Sequence, residues 1–145
     1  MKKLSSEVPA AQAMQYTTER ALEAIKWLKE TQIEFQKRRK AGKDCSKLQL
    51  RKRILADTIS MYVSTLVETG GSGHSLPKSY DPHQFIDKFV ALPIVKECLM
   101  NRHNRSAHES KSYGHFVSPD ELLKSPLEAW LSEVSFFVCV VGRQK

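Results

Sequence analysis

The chain has no long hydrophobic run. Its longest unbroken apolar stretch, Phe136 to Val141, is six residues. A membrane-spanning helix needs roughly 18 or more, so no span across a membrane is expected. Cysteine is scarce: Cys45, Cys98 and Cys139 are widely spaced and odd in number. That pattern excludes a disulfide framework and fits reduced thiols in a cytoplasmic protein. Met1-Lys2-Lys3 carries the charge of a signal peptide, but Ser5-Ser6-Glu7 stands where the apolar stretch should follow. Gly and Pro number six each, and there is neither an internal repeat nor a low-complexity segment. Sustained strand-like alternation is also missing, which leaves helix as the dominant element.

What the chain does have is enough apolar material for a core. At 145 residues and 41% hydrophobic, it fits a single domain over residues 1–145 and excludes wholesale disorder. The formal charge of +7 is concentrated rather than spread. Nine basic residues (Lys37, Arg38, Arg39, Lys40, Lys43, Lys47, Arg51, Lys52 and Arg53) and one acid, Asp44, give the segment from Lys37 to Arg53 a charge of +8. The other 128 residues hold fourteen bases and fifteen acids, or −1. Such a block suggests an anionic partner, nucleic acid or membrane surface, through long-range attraction. A solvated hairpin tip that aids solubility is the competing reading.

Apolar spacing and chain punctuation together define the expected helices. The first begins near Pro9 and ends at Gly42, with Ala21, Ala24, Ile25 and Leu28 on one face and Trp27 widening it. A second runs from about Cys45 to Glu68. Its main stripe is Leu48, Leu55, Ile59, Tyr62 and Leu66, with Leu50, Ile54 and Met61 alongside and Asp57 at the edge. Gly70 to Tyr80 reads as the main loop. Asp81-Pro82 opens a short helix that breaks near Leu92-Pro93, and the next continues toward His108. Capping boxes at Ser118-Pro119-Asp120-Glu121 and Ser125-Pro126-Leu127-Glu128 open the last two, the final one ending at Gly142. That last helix is apolar on more than one face, as central burial or an oligomer contact requires. The expected fold is all-α, an up-and-down bundle of four to five helices.

One polar segment carries the candidate chemistry. Asn101-Arg102-His103-Asn104-Arg105-Ser106-Ala107-His108-Glu109 concentrates two arginines, two histidines and two asparagines, with its single acid at the far end. A histidine can exchange a proton near neutral pH. A neighbouring arginine can hold a phosphate with its guanidinium fork and stabilise charge developing on it. Together they suffice for RNA cleavage without a metal, the 2′-hydroxyl attacking the adjacent phosphate.

The arrangement resembles the HEPN superfamily (higher eukaryotes and prokaryotes nucleotide-binding). Its mark is an Arg, four to six residues, then His, with a polar residue usually following the Arg. Arg102, His103 and His108 match that pattern with five residues between Arg and His, and the likeness covers most of the chain from the second helix onward. The resemblance implies a small helical bundle acting as an endoribonuclease, with Arg102 and His108 catalytic. It also implies a composite site where two motifs face each other across a homodimer. Members commonly serve as toxins or antiviral defence components, sometimes beside a nucleotidyltransferase antitoxin. Six positions apart, Arg102 and His108 lie about 120° apart on an ideal helix, whereas Arg105 shares a face with His108. Either arginine is open as the working one.

His103, Asn104, Arg105, Asp57 and Tyr113 are supporting candidates. Asp57 either orients the arginines or pairs with Arg53 four residues before it; Tyr113 either approaches the phosphate or simply packs. Lys37, Arg38, Arg39, Lys40, Lys43, Arg51, Lys52 and Arg53 are the candidate nucleic-acid-binding residues, with RNA the expected partner. No cofactor is expected, and no metal, because Cys98, His103, His108 and His115 match no zinc spacing. Gly70-Gly71-Ser72-Gly73 lacks the Gly-Lys-Ser/Thr of a phosphate loop. Two alternatives stand beside the ribonuclease: a non-catalytic module of the same fold that binds nucleic acid or protein, and an interaction protein that dimerises through its last helix.

Overall fold

The computed structural model describes residues 7–69, 74–80, 84–101 and 117–143. Seven helices and no strand occur among them: α1 (Glu7–Lys40), α2 (Ser46–Val67), α3 (Leu76–Tyr80), α4 (Gln84–Ala91), α5 (Pro93–Asn101), α6 (Pro119–Lys124) and α7 (Leu127–Arg143). The fold is an all-α helical bundle. None of the described helices is long and apolar enough to cross a membrane.

Packing follows from the stripe on α1. Ala21, Ala24, Ile25 and Leu28 are buried, and Met14 extends the line by two turns. Small residues at 21 and 24 let neighbouring helices approach closely. The 34-residue α1 is about 50 Å long at 1.5 Å per residue and packs against both α2 and α7. α2 returns antiparallel to it, burying Leu55, Ile59, Val63 and Leu66. α7 also runs antiparallel to α1: Gln15 Nε2 donates to Ser135 Oγ at 2.8 Å, and Lys29 pairs with Glu128. α5 covers the other flank of α2, with Cys98 fully buried there. At one end Tyr80, Phe89, Trp130 and Phe137 meet edge-to-face at centroid separations of 5.1–6.3 Å. The Trp130 indole donates to the Phe89 carbonyl at 2.9 Å, so its one polar atom is satisfied.

Local punctuation behaves largely as the sequence implies. Gly42 adopts φ +71° and closes α1 with a Schellman motif: Lys43 N–H donates to Arg38 O and Gly42 N–H to Arg39 O. Leu92 breaks α4 from α5, its carbonyl accepting from the Val95 and Lys96 amides. The Ser118 capping box closes fully, with the serine Oγ accepting from Glu121 N–H and the Glu121 carboxylate from Ser118 N–H.

Three expectations need correction. The stretch Gly70–Tyr80 is not wholly loop: Leu76–Tyr80 forms α3, anchored by buried Leu76 and Tyr80. Pro77 falls in its first turn, where an amide hydrogen is not needed. The second capping box does not close. Ser125 Oγ accepts from Leu127 N–H and donates to Leu122 O, while Glu128 reaches across to Lys29. Trp27 does not widen the buried face; it is 54% exposed, about 100° round α1 from Leu28. Leu50, Ile54 and Met61 likewise face solvent.

The left-handed geometry at Gly42 sets a testable cost. A Cβ there would meet no atom within 4 Å, so Gly42→Ala is penalised by backbone conformation alone, by about 1–2 kcal/mol. Thermal melts followed by circular dichroism should show the midpoint falling by a few degrees, and by less in Gly42→Asn. An unchanged midpoint in Gly42→Ala contradicts this account of how α1 ends.

Candidate functional site

The basic block occupies the tip of the α1–α2 hairpin. Lys37, Arg38, Arg39 and Lys40 fill the last turn of α1, where cations complement the negative end of the helix dipole. The chain then turns through Gly42, and α2 begins with no acid in its first turn and with Lys47, Arg51, Lys52 and Arg53 following. Positive charge beside a helix N-terminus is unfavourable. The tip therefore gathers like charge from two helices into one place.

Its one acid is occupied internally. Asp44 accepts the Ser46 N–H at 3.2 Å on Oδ1 and the Ser46 hydroxyl at 2.8 Å on Oδ2, and the Arg38 guanidinium donates to its carbonyl at 3.2 Å. Cys45, in the N-cap position, makes no side-chain cap, so Asp44 caps α2 from one residue earlier. The Ser46 hydrogen bonds, aided by the charge of Arg38, hold the Asp44 carboxyl below the usual carboxylate range.

One member of the block does not reach solvent. Lys37, Arg39, Lys40, Lys43, Lys47, Arg51 and Arg53 are exposed, and Arg38 is half-buried. Lys52 is a correction: it is only 7% exposed, with its ammonium 4.2 Å from the centre of the Phe35 ring. It lies one turn from buried Leu48 and from buried Ala56, on the inward side of α2, so burial removes it from the candidate phosphate contacts. That spacing is visible in the sequence and could have separated Lys52 from its neighbours.

Asp57 is half-buried on the shoulder of α2 that also carries Ser60 and Ser64. This shoulder faces α5, because the Ser60 hydroxyl lies beside the Cys98 thiol. Burial pushes that thiol up to about 12, which keeps it protonated and unreactive near neutral pH. No group of three or more His, Cys, Asp or Glu among the described residues could hold a metal ion. Arg102, His103, Asn104, Arg105, His108 and Tyr113 lie outside the described residues.

Periodicity alone did not assign one feature a role. Trp27, Glu30 and Glu34 of α1 and Lys47, Leu50, Arg51 and Ile54 of α2 line a groove of about 610 Å³ along the outer face of the hairpin. The signal for it was the second stripe of α2, offset from the core stripe. No family model, no curated protein and no solved structure matches this chain.

The Asp44 arrangement predicts a pH effect of defined sign. Its carboxyl pKa is lower folded than unfolded, so the stability it adds is present above the unfolded value of about 3.9 and is lost as pH falls through the folded value. Asp44→Asn should melt below wild type at about pH 6, and the gap should narrow as pH falls below the unfolded value of about 3.9. A gap independent of pH would mean that charge on Asp44 plays no part in starting α2.

Proposed function

We propose that this protein binds RNA through the α1–α2 tip and cleaves it with Arg102 and His108, as a metal-independent endoribonuclease. The observation that carries the binding half is the exposed cluster of Lys37, Arg39, Lys40 and Lys43, with Asp44 beside it already engaged by Ser46 and Arg38. Like charges gathered at a helix junction oppose folding unless an anion neutralises them. Local conflict of that kind is characteristic of functional surfaces. A polyanion with phosphates spaced along a chain matches several separated cations better than a single small anion does.

The cleavage half rests on the residue chemistry of the Arg102–His108 segment. His108 takes the proton from the 2′-hydroxyl, and Arg102, or Arg105 in its place, stabilises the charge on the phosphate. The all-α bundle is in keeping with this reading. Asp57 supports it by position, since it lies on the side of α2 that meets α5, the helix leading into the segment. Ser60, which lies beside Cys98 of α5, is fourteen residues and about 20 Å along α2 from Ser46. An RNA held at the tip has that length of α2 to follow. A composite site built from two copies would place two such arms beside one cleft.

Incubating purified protein with single-stranded RNA in EDTA tests the cleavage half. Wild type should leave fragments ending in a 2′,3′-cyclic phosphate, and Arg102→Ala and His108→Ala should each cut at least about a hundredfold more slowly. Identical product patterns from all three proteins would defeat the nuclease reading. Tight RNA binding without any cleavage would leave the tip as the grip of a non-catalytic module.

A further inference from the structure

The outer face of the α1–α2 hairpin carries large apolar side chains that the bundle does not cover. Trp27 is 54% exposed, Leu50 61% and Ile54 55%, and Met61 continues the same stripe of α2. The groove between the helices has walls of opposite sign. Glu30 and Glu34 line the α1 side, while Lys47 and Arg51 line the α2 side. No ion pair within 4 Å joins these acids to these bases among the described residues.

That pattern narrows the occupant. An isologous contact requires one patch to complement itself under a two-fold rotation. With the dyad running parallel to the helices, α1 of one copy lies over α2 of the other at the same height. Glu30 and Glu34 then face Lys47 and Arg51 of the second copy, twice over, and Trp27 meets Ile54 across the dyad. With the dyad perpendicular to the helices, acid would face acid and base would face base. One orientation is therefore selected by charge, with apolar residues along the seam.

We infer that the outer α1–α2 face is a self-association surface on which a second copy of this chain docks in that orientation. Sequestering Trp27, Leu50 and Ile54 supplies the apolar core of the contact, and the charge walls set its register. Arg39, Lys40 and Lys43 lie beyond the groove toward the tip, so docking leaves them accessible. The inference can fail while the RNA reading stands, because it draws on Lys47 and Arg51 of the block but not on Lys37, Arg39, Lys40 or Lys43, nor on Arg102 and His108.

Size-exclusion light scattering of the full chain tests it. Wild type should run as a dimer near twice its 16.5 kDa at micromolar concentration, and Ile54→Asp should weaken association roughly tenfold or more while its helical melt is unchanged. Charge reversal discriminates further. Glu34→Lys and Arg51→Glu alone should each be largely monomeric, since like charges meet twice in each homodimer. Mixed one to one, they should form a heterodimer in which both contacts are restored. Rearrangement within one chain cannot mimic rescue by mixing. A monomeric wild type would overturn the inference, as would a dimer insensitive to Ile54→Asp or failure of the mixed pair to associate.

Discussion

Burial of the Ala21–Leu28 stripe of α1 is the contact on which the rest of the bundle depends. Those four residues and Met14 belong to one buried cluster, α1 packs against the two longest of the other helices, and each of those positions another. α2 carries α5 on its far flank; α7 fixes α4 through Trp130 and Phe89. At roughly 1.5–3 kcal/mol for each large side chain withdrawn from water, the seam between α1 and its neighbours outweighs any surface pair in the molecule. Lys29–Glu128 joins half-exposed groups and contributes little beyond the register of α7 along α1.

That seam also explains where the charge can go. α1 and α2 must meet at a short turn, and the turn must leave solvent room on its outside because both helices use their inner faces for the core. Nine bases placed in that stretch are tolerable only as a tip. Lys52, whose position points inward, lays its ammonium on Phe35 instead. The same division leaves the outer face of the hairpin free of the core, with Trp27, Leu50 and Ile54 on it.

Features decided within one turn of chain were legible in the sequence. Gly42 ends α1, Leu92-Pro93 separates two helices, and Ser118 with Glu121 makes its box, because each depends on backbone groups a few residues apart. Features decided by distant partners were not. Glu128 has the spacing to cap at Ser125, but Lys29, 99 residues earlier in the chain, engages it instead. Trp27 reads as core by hydrophobicity and sits outside it by angle; Lys52 reads as a surface cation by charge and sits inside it by angle. α3 was hidden because Pro77 signals a break everywhere except in a helix's first turn. Of the candidate site, the tip was legible as charge, and the split of that charge into exposed and buried members was not.

The claim that the tip grips a phosphate backbone has a direct thermodynamic signature in the salt dependence of RNA affinity. Each phosphate neutralised on a single strand contributes about −0.7 to the slope of log K against log salt. Binding of single-stranded RNA should therefore be measured across salt for an inactive His108→Ala background and for the same protein with Lys37, Arg39, Lys40 and Lys43 changed to Gln. The account predicts weaker binding and a slope shallower by about 3 for the four-residue variant. Equal slopes and affinities for the two proteins would contradict it.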